Sequence, residues 1–467
     1  YQQMAKKILL IYPPSPVMNR EDRCQQPTKD LLVIPPLPPT DLMYLAAVAE
    51  KLGFEAMIRD YSLGGSFEDD LKEFKPDYLL LNVATPTLQS DLDCLKIAKK
   101  VCPKIITIAK GAVFLTFNSE ILLKNKTLNY IISGEAEETL KELLSGDVEI
   151  KDILGLWYRD GFVAKFNGAR PFIQNLDELP FPARHLVDNT IYRRPDNNKV
   201  QAVIKVSRGC PHYCFFCLAT PTSGSKVRTR SPENIIAEIR ECIEKYNIKN
   251  FIFWSDIFNQ DREWTMNLCK KIIESGIKFT WSANTRADTA DEKMAKYMYK
   301  AGCRLVSIGV ESGSQFILDK IGKNITINDV RDTVKAFKKA KIRIYNYFVL
   351  GLPWDDEETI HDTINFAVEL DSDFVSFYTA TPLPGTRYYN FVKNELHEEI
   401  ESYENAYYNP CVSTYSLTKE QVLEFHKKAV KAFYLRPLYI LKMLTRIRSF
   451  YEIKSYFMAG LSILLNK

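Results

Sequence analysis

Three cysteines lie within eight residues of one another, directly after an apolar segment, and no other feature constrains the chain as strongly. Cys210, Cys214 and Cys217 form a C-x3-C-x2-C run behind the apolar residues 201–206. Three thiols cannot pair off evenly as disulfides, whereas three thiolates can bind one iron–sulfur cube, which normally takes four protein ligands. Without a fourth ligand, one iron keeps an open position where a substrate or cofactor binds directly. The alternative is a thiol-bearing loop without a metal.

The run and its aromatic neighbours resemble the signature of the radical S-adenosylmethionine (SAM) enzymes. In that family three cysteines hold a 4Fe–4S cluster, and the open iron chelates the amino and carboxylate groups of SAM. One electron then cleaves SAM to a 5′-deoxyadenosyl radical. The resemblance implies that the three cysteines are the cluster ligands and that Tyr213 or Phe216 packs near the adenine.

Length and composition are those of a globular protein with more than one domain. The chain has 467 residues, 46% of them hydrophobic and 26% charged, which is enough for two or three domains. A net charge of +4 gives no general case for nucleic acid. Ten cysteines, scattered apart from the one run, are not a disulfide framework, and an oxygen-sensitive cluster needs a reducing compartment. Because there is neither a signal-peptide pattern nor an uncharged apolar run of about 18 residues, we expect a cytoplasmic protein.

Residues 6–145 alternate apolar strands with helical patterns, which predicts a parallel, doubly wound sheet. The predicted strands are Lys7–Tyr12, Glu55–Asp60, Asp77–Val83, Lys104–Ala109 and Leu128–Ile132, and the predicted helices are Asp41–Leu52, Leu88–Val101 and Glu135–Leu144. Ligands of such sheets bind at the carboxyl ends of the strands, where the strand order switches. We therefore expect a pocket formed by the loops Pro13–Ser15, Ala84–Thr87 and Gly111–Val113, with Ser133–Glu135 at its rim. No G-x-G-x-x-G follows the first strand, so a dinucleotide is not expected.

The turns of this half resemble those of the cobalamin-binding domain that precedes many radical SAM barrels. They are Tyr12–Pro16, Pro36–Pro39, Thr85–Thr87 and Gly134–Thr139. The resemblance implies that cobalamin is contacted by Pro14, Ser15, Thr85, Thr87, Gly111, Ala112, Gly134 and Glu135. The D-x-H-x-x-G motif of cobalamin-dependent mutases is absent and residues 1–150 contain no histidine, so cobalamin is expected without a histidine below cobalt. The alternative is a cofactor-free, flavodoxin-like domain that only packs against the barrel.

The alternation of strands and helices resumes at Gln201, after a linker that contains a predicted hairpin around Asp160-Gly161. The predicted strands are Ala202–Val206, Phe251–Trp254, Phe279–Ala283, Leu305–Val310, Ile344–Leu350 and Phe374–Tyr378, and the predicted helices are Pro232–Lys245, Arg262–Ser275, Glu292–Ala301, Asp329–Ala340 and Glu357–Leu370. Six such strands resemble the open, partial (β/α)6 barrel of the radical SAM family. Its site lies at the carboxyl ends of the strands, as in a full barrel.

Polar residues stand at the expected strand ends. Asp256 resembles the acidic residue that accepts a hydrogen bond from the SAM amino group, and Glu311 resembles the one near the ribose hydroxyls. Arg286 can pair its guanidinium with the SAM carboxylate in a charge-assisted contact. These three residues and the two aromatic ones are the expected SAM contacts. His212 is not expected to bind the metal.

The last 90 or so residues depart from this alternation and read as helices at Glu420–Leu435, Pro437–Arg448 and Glu452–Leu464. Between Arg436 and Lys467, six Lys or Arg residues accompany one acidic residue. We expect a helical cap over the barrel mouth. The alternative is a basic, apolar tail that makes peripheral contact with a membrane or approaches a lipid-like substrate.

We therefore predict an α/β protein with four parts: a Rossmann-like cobalamin-binding domain (residues 1–148), a linker (149–200), a radical SAM partial barrel (201–385) and a mostly helical C-terminal domain (386–467). The stretch from Lys6 to Leu435 resembles the cobalamin-binding radical SAM enzymes, which include hopanoid, phosphonate and antibiotic C-methylases and the anaerobic cyclase of bacteriochlorophyll synthesis. The resemblance implies a 4Fe–4S cluster, SAM and cobalamin as cofactors and a flavodoxin or ferredoxin as electron donor. It also implies that a carbon radical, formed when the deoxyadenosyl radical takes hydrogen, accepts a methyl group from methylcobalamin. No residue is assigned a catalytic role.

Other functions remain open at this point. One is a cyclisation or rearrangement that uses cobalamin without methyl transfer. A corrinoid sensor or carrier would leave the cysteine run idle. Methylthiolation of tRNA is disfavoured because Cys24, Cys94 and Cys102 are too scattered to hold a second cluster. The substrate is a small molecule, a lipid, or a residue in a peptide or protein.

Overall fold

The structure, a computed structural model, contains two sheets joined by an irregular connection. It describes residues 5–465 except 17, 23–24, 26–35, 195–196, 405 and 448. The seven strands of the first sheet are β1 (Lys7–Tyr12), β2 (Glu55–Asp60), β3 (Tyr78–Asn82), β4 (Ile106–Lys110), β5 (Tyr130–Ile132), β6 (Leu156–Asp160) and β7 (Val163–Phe166). Its helices are α1 (Thr40–Lys51), α2 (Phe67–Phe74), α3 (Leu88–Val101), α4 (Ser119–Lys124) and α5 (Glu137–Ser145). We call this sheet with its helices the N-terminal domain.

The strand order of the first sheet is β2-β1-β3-β4-β5-β6-β7, and β1 to β5 are parallel. The order switches between β1 and β3, which places a ligand crevice beyond their carboxyl ends. The predicted hairpin forms, but β6 pairs antiparallel with β5. The hairpin therefore extends the first sheet by two strands, and the connection to the second sheet begins after Phe166.

The central strands β1 and β3 of the first sheet are nearly continuous apolar runs because helices cover both faces of the sheet there. Ile8 and Leu10 of β1 pack among residues of α1 and α5 on one face. Leu9 and Ile11 pack among residues of α2 and α3 on the other face. A strand buried on both sides shows no polar alternation, so each run is readable from the sequence.

The second sheet is an open parallel barrel of six strands. These are β8 (Ala202–Lys205), β11 (Asn250–Trp254), β12 (Thr280–Thr285), β13 (Cys303–Glu311), β14 (Arg343–Leu350) and β15 (Phe374–Thr379), and a two-stranded ribbon of β9 (Ser207–Arg208) and β10 (Arg228–Thr229) follows β8. The helices of the barrel are α6 (Ala219–Ser223), α7 (Pro232–Tyr246), α8 (Arg262–Ser275), α9 (Glu292–Lys300), α10 (Gln315–Lys320), α11 (Ile327–Lys339), α12 (Glu357–Leu370) and α13 (Arg387–Phe391). The order β8-β11-β12-β13-β14-β15 follows the chain. All carboxyl ends therefore lie at one end of the barrel.

The chain closes with α14 (Lys419–Tyr434), α15 (Pro437–Arg446) and α16 (Phe450–Leu465). α14 packs against β15 and α12, and the hydroxyl of Tyr434 accepts from the backbone N–H of Val375 at 3.0 Å. β15 is an edge strand of the barrel sheet, and α14 covers this edge. None of the helices in the described chain has the length and apolar content to span a bilayer.

The expected helical cap is correct for α14, which covers the open side of the barrel, but wrong for α15 and α16, which do not lie over the barrel mouth. Glu452 of α16 pairs with Arg343, the first residue of β14, at 3.4 Å. The hydroxyl of Tyr439 in α15 donates to the carbonyl of Asp373, just before β15, at 2.8 Å. The helices α15 and α16 therefore lie at the amino ends of β14 and β15, opposite the carboxyl ends where the mouth is.

Candidate active site between the two sheets

The cysteine run forms a tight loop at the carboxyl end of β8, and we call residues 207–218 the cysteine loop. The ribbon of β9 and β10 closes the loop at its base, and the N–H of Cys210 donates to the carbonyl of Gly224 at 2.9 Å. Gly209 has φ +100°, and a Cβ at this position would lie 2.1 Å from the carbonyl oxygen of Lys226. Only glycine therefore allows the loop to turn here.

The three cysteines line one cavity of about 340 Å³, which we call the cysteine cavity. None of them is in a disulfide. The backbone N–H of Ala219 donates to Sγ of Cys217 at 3.4 Å, a contact that favours a thiolate in iron–sulfur proteins. Among the described residues no three His, Cys, Asp or Glu side chains are grouped closely enough for a single metal ion. Three thiols spread around one cavity fit a four-iron cluster, which is a larger body than one ion.

Four of the five expected SAM contacts lie on the cysteine cavity. Phe216, Asp256, Arg286 and Glu311 line it. Tyr213 does not, and its side chain is 59% exposed. Of the two aromatic residues proposed for the adenine, only Phe216 has access to the cavity, because the loop turns Tyr213 to the solvent.

The polar residues of this cavity are held by neighbouring groups. Asp256 accepts a hydrogen bond from the N–H of Gly209 at 2.8 Å, which ties the cysteine loop to the end of β11. Arg286 pairs through Nε with Asp288 at 2.7 Å, and it donates to the carbonyl of Asn324 at 3.1 Å. A carboxylate of SAM would therefore share the Arg286 guanidinium with these groups. The hydroxyl of Ser255 is buried and has no partner, so it offers a free polar group at the same strand end.

Glu311 is paired with Lys323, a residue that the sequence did not single out. Nζ of Lys323 lies 2.7 Å from Oε1 of Glu311. Burial alone would lower the pKa of Lys323, but the Glu311 carboxylate raises it. Glu311 has φ +69° at a bulge in β13, and a Cβ on Gly309 would lie 2.3 Å from the Glu311 carboxylate. In the sequence, only the glycine two residues before Glu311 hints at this strained backbone, because it leaves room for the Glu311 carboxylate.

The expected cobalamin loops meet around a buried ion pair that the sequence did not reveal. Arg20 donates to both oxygens of Asp91 at 2.7 and 3.0 Å. Arg20 also bonds the hydroxyls of Ser15 and Thr87. The pair ties the loop after β1 to the loop after β3 at the switch in strand order.

The remaining residues of the expected cobalamin loops differ in the exposure and in the free hydrogen-bonding groups that they present to a cofactor. The N–H of Thr85 donates to Gln25 at 2.7 Å, while its hydroxyl is buried without a partner. Pro14 is exposed. Gly111 has φ +151°, and a Cβ there would lie 2.1 Å from the carbonyl oxygen of Val83. The Thr85 hydroxyl, in the loop after β3, therefore fits a polar group of a cofactor at the switch in strand order. Gly111, after β4, is required to be glycine because the Val83 carbonyl occupies the place of a side chain.

Gly134 and Glu135 line a small cavity of about 80 Å³ between the N-terminal domain and the barrel. A Cβ on Gly134 would meet nothing within 4 Å. Glu135 pairs with Arg208 at 3.2 Å and with Arg228 at 2.9 Å, and it accepts from the N–H of Ile173. Gly134 faces open space, whereas the Glu135 carboxylate binds two arginines of the barrel half and so holds the two halves together.

Two contacts bring the N-terminal domain against the cysteine loop. Ala112 packs with Leu218, the residue after Cys217, and with Leu383 in a small buried cluster. Asn19 and Leu37 reach the lining of the cysteine cavity. The carboxyl ends of both sheets therefore face one another, and one cavity has walls from both halves.

A wall of tyrosines, which the sequence analysis did not predict, completes the cysteine cavity. Tyr345, Tyr347, Tyr378 and Tyr407 line it, and neighbouring rings in this set lie 4.6 to 6.0 Å apart. Tyr345 and Tyr347 are two residues apart in β14 and therefore lie on the same face of the sheet. This spacing is the sequence signal from which part of the wall could have been predicted.

Comparisons with known proteins agree with this geometry. Residues 204–367 match the Radical SAM superfamily model and residues 35–144 match the B12 binding domain model. The chain is 32% identical over 434 residues to an uncharacterized methyltransferase of Pyrococcus horikoshii, with 89% of this chain and 94% of that protein covered. It is 26% identical over 421 residues to an anaerobic magnesium-protoporphyrin IX monomethyl ester cyclase of Cereibacter sphaeroides, with 85% and 67% covered.

A solved structure has the same fold over nearly the whole chain. It is the radical S-adenosylmethionine methyltransferase TsrM from Kitasatospora setae with cobalamin and a 4Fe–4S cluster bound. The TM-score is 0.70 at 15% identity, with 98% of this chain and 100% of that chain covered. The predicted fold class, a Rossmann-like domain followed by a partial barrel, is confirmed.

Proposed function

The chain belongs to the radical SAM enzymes that carry a cobalamin-binding domain, and on this premise we propose that it transfers a methyl group to an unactivated carbon. Its cofactors are a 4Fe–4S cluster, SAM and cobalamin, as predicted. The relative with 32% identity is a methyltransferase by name, and so is the solved structure with the same fold. Cleavage of SAM needs one electron from an external donor, for which we propose a flavodoxin or ferredoxin.

One observation carries this proposal. The cavity that holds the three cysteines is also walled by Asn19 and Leu37 of the N-terminal domain. A methyl group can reach a carbon radical only if the substrate lies between the methyl donor and SAM. A cavity shared by both halves supports such an arrangement, whereas two cavities facing apart would not.

When bound, the cluster and SAM supply a radical that removes a hydrogen atom, and cobalamin supplies the methyl group. We propose that Cys210, Cys214 and Cys217 hold the cluster. Asp256, which the Gly209 N–H already orients at 2.8 Å, would accept from the SAM amino group. Glu311, held by Lys323, would bind the ribose hydroxyls. Phe216 would pack on the adenine.

The tyrosine wall supports a substrate whose reacting part is uncharged. The charged residues on the cysteine cavity, including Asp256, Arg286, Glu311 and Lys323, are those proposed for SAM or paired with them. The hydroxyl of Tyr347 donates to Ser307 at 3.3 Å, and that of Tyr345 contacts Ser376. Internal partners take the hydroxyls of these two tyrosines, so this part of the wall offers a ligand mainly apolar ring surface. We propose an aromatic or alicyclic substrate portion at this wall.

Radical chemistry without methyl transfer is the second candidate. The cyclase relative spans 85% of this chain at 26% identity. In that case SAM would yield 5′-deoxyadenosine but no S-adenosylhomocysteine.

The test uses anaerobically reconstituted holoenzyme, a chemical reductant, a small-molecule extract and SAM with a trideuterated methyl group. We expect a product that carries the deuterated methyl group, together with both S-adenosylhomocysteine and 5′-deoxyadenosine. Cys214→Ala should form neither the product nor 5′-deoxyadenosine. Substrate-dependent 5′-deoxyadenosine without S-adenosylhomocysteine would replace the methyltransferase proposal with the second candidate.

A further inference from the structure

The amino end of the barrel, opposite the cysteine cavity, carries two features that the proposed function does not use. The first is the outer surface of α15 and α16. Large apolar side chains that are more than half exposed stand on these helices: Leu438, Leu441, Leu444, Phe450, Phe457 and Met458. On α15, three of them recur every third residue and therefore lie along one side of the helix.

Helix α15 is apolar on both its faces. Tyr439 and Met443 are buried against the barrel, while Leu438, Leu441 and Leu444 point to the solvent. A helix that packs on a soluble domain normally has a polar outer face. Contiguous exposed apolar surface of this kind marks a contact with a partner or a membrane.

The charges on these two helices are almost all positive. Within their described residues the basic side chains are Lys442, Arg446 and Lys454, and the acidic one is Glu452. Glu452 is 4% exposed and pairs with Arg343. Lys442 and Arg446 are in turn paired with Asp371 and Asp373, just before β15. The two helices themselves therefore add little net charge, and the basic character of this end comes from the groove described next.

The second feature is a basic groove at the same end of the barrel. A cavity of about 690 Å³ is lined by the cations Arg193, Lys199, Lys249, Lys278, Lys300 and Arg304. Its described lining contains no aspartate or glutamate. Lys249, Lys278 and Lys300 come just before β11, β12 and β13. The groove therefore lies at the amino ends of these strands, as α15 and α16 lie at the amino ends of β14 and β15.

We propose that this end of the barrel docks on an anionic lipid surface. The exposed faces of α15 and α16 enter the boundary between headgroups and acyl chains, and the basic groove lies against the anionic headgroups. Apolar burial and attraction to anionic lipid add to each other in such interfacial helices. The cysteine cavity then faces away from the lipid, so the contact anchors the enzyme instead of delivering the substrate.

A second copy of the chain is a poorer occupant. A two-fold contact places the same surface on both subunits. If α15 and α16 met their own copies, the two basic grooves would face each other at the same end of the assembly, where like charges repel. An anionic lipid surface can bury the exposed apolar side chains of α15 and α16 and, at the same time, attract the cations of the groove.

The test is flotation of the reconstituted holoenzyme with vesicles of phosphatidylcholine alone or of phosphatidylcholine with phosphatidylglycerol. We expect flotation with the anionic vesicles and its loss at high salt. Leu441→Ser combined with Phe457→Ser should weaken vesicle binding by about tenfold or more, since two large apolar side chains no longer insert. Lys249→Glu, Lys278→Glu and Lys300→Glu together should remove the preference for anionic vesicles.

Matched controls use surfaces far from this end of the barrel. Phe162→Ser with Val163→Ser changes two exposed apolar residues of the hairpin. Lys96→Glu, Lys124→Glu and Lys141→Glu together change three exposed lysines of the N-terminal domain. Both controls should float like the wild type, and all variants should keep the cluster absorption. A wild type that floats with neither kind of vesicle overturns the proposal. A wild-type dimer that Leu441→Ser with Phe457→Ser converts to a monomer, without vesicle binding, assigns the surface to a second copy.

Discussion

Lys205, at the carboxyl end of the first barrel strand, lies 2.9 Å through Nζ from Oε2 of Glu21 in the N-terminal domain. The same ammonium group also contacts Asp41, and Lys110 lies 3.5 Å from Asp41. Burial alone would raise the pKa of Asp41, but Lys205 and Lys110 hold it well below its usual range. One cation of the barrel thus pairs with two carboxylates of the other half, and Lys110 supplies a second cation to the cluster.

Replacement of Lys205 should therefore loosen the contact between the two halves. Lys205→Met removes the cation that contacts both Glu21 and Asp41 and leaves Lys110 as the remaining partner of Asp41, which should lower the free energy of unfolding by about 3 kcal/mol. The measurement is the midpoint of thermal unfolding. Lys72→Met, at an exposed pair with Glu68, is the control and should not shift the midpoint. An unchanged midpoint in Lys205→Met would show that this ion cluster does not stabilise the contact.

The fold was largely predictable where the chain is buried on both faces. The strand β1 begins and ends at the predicted residues, because an uninterrupted apolar run has few other conformations available. The partly exposed strand β2 also has the predicted bounds, although it carries Glu55, Arg59 and Asp60. Helix α2 (Phe67–Phe74) was missed, although Phe67, Leu71 and Phe74 recur at helical spacing and Ser66 caps the helix. The helix was not predicted because acidic residues separate its three apolar positions, so the segment has little overall apolar character.

Tertiary relationships were less predictable than elements. Arg20 and Asp91 are 71 residues apart, and neither stands in a motif. The three C-terminal helices were predicted, but not that they cover the edge of β15 and the amino ends of the strands. Helical periodicity shows which face is apolar, but α15 carries apolar residues on both its buried and its exposed side, so the pattern did not indicate its side of contact.

The stability of the fold should decrease as the pH rises, because the carboxyl group of Asp355 is buried. Oδ2 of this residue accepts from the N–H groups of Gly351 and Leu352 at 2.9 Å, in the loop after β14. Burial raises its pKa to about 7, compared with about 3.9 in an unfolded chain. A raised carboxyl pKa stabilises the fold fully below about pH 4, and this contribution is lost as the pH rises to about 7.

Asp355→Asn removes this titration. Its unfolding temperature should fall less than that of the wild type between pH 5 and pH 7.5, although it should be lower at pH 5 because one acceptor is lost. Asp362→Asn, at an exposed position on the helix α12 that follows this loop, should keep the wild-type pH dependence. Parallel pH profiles of Asp355→Asn and the wild type would contradict the raised pKa.

Cluster binding should depend on the three loop cysteines alone. The triple change of Cys210, Cys214 and Cys217 to Ala should abolish the absorption near about 400 nm that such clusters show, together with all 5′-deoxyadenosine formation. Cys411→Ala, a cysteine outside the cysteine cavity, is the control and should keep both. A full cluster in the triple variant would refute the assignment of the ligands.

Cobalamin should bind without a nitrogen ligand from histidine, because residues 1–150 contain none. Electron paramagnetic resonance of the reduced, one-electron form reports this directly, since a nitrogen below cobalt splits each line into three. We expect lines without this splitting in the wild type and in His185→Ala, whose ring contacts Glu50 at 2.8 Å. A triplet that is lost in a histidine variant would place a protein imidazole below cobalt.

The last prediction concerns the contact of Ala112 with Leu218, through which the N-terminal domain meets the cysteine loop. Ala112 is 3% exposed, so a large side chain cannot be added there without moving the two halves apart. Ala112→Trp should leave cluster absorption and uncoupled formation of 5′-deoxyadenosine within about twofold of the wild type, since SAM is bound by the barrel. Formation of S-adenosylhomocysteine should fall by tenfold or more, because the methyl donor and SAM no longer share one cavity.

The measurement is the ratio of the two products in anaerobic assays, with Ala56→Trp, on the half-exposed strand β2, as the control. Equal losses of both products would mean that the Ala112 contact supports the cysteine loop itself and not the alignment of the two halves.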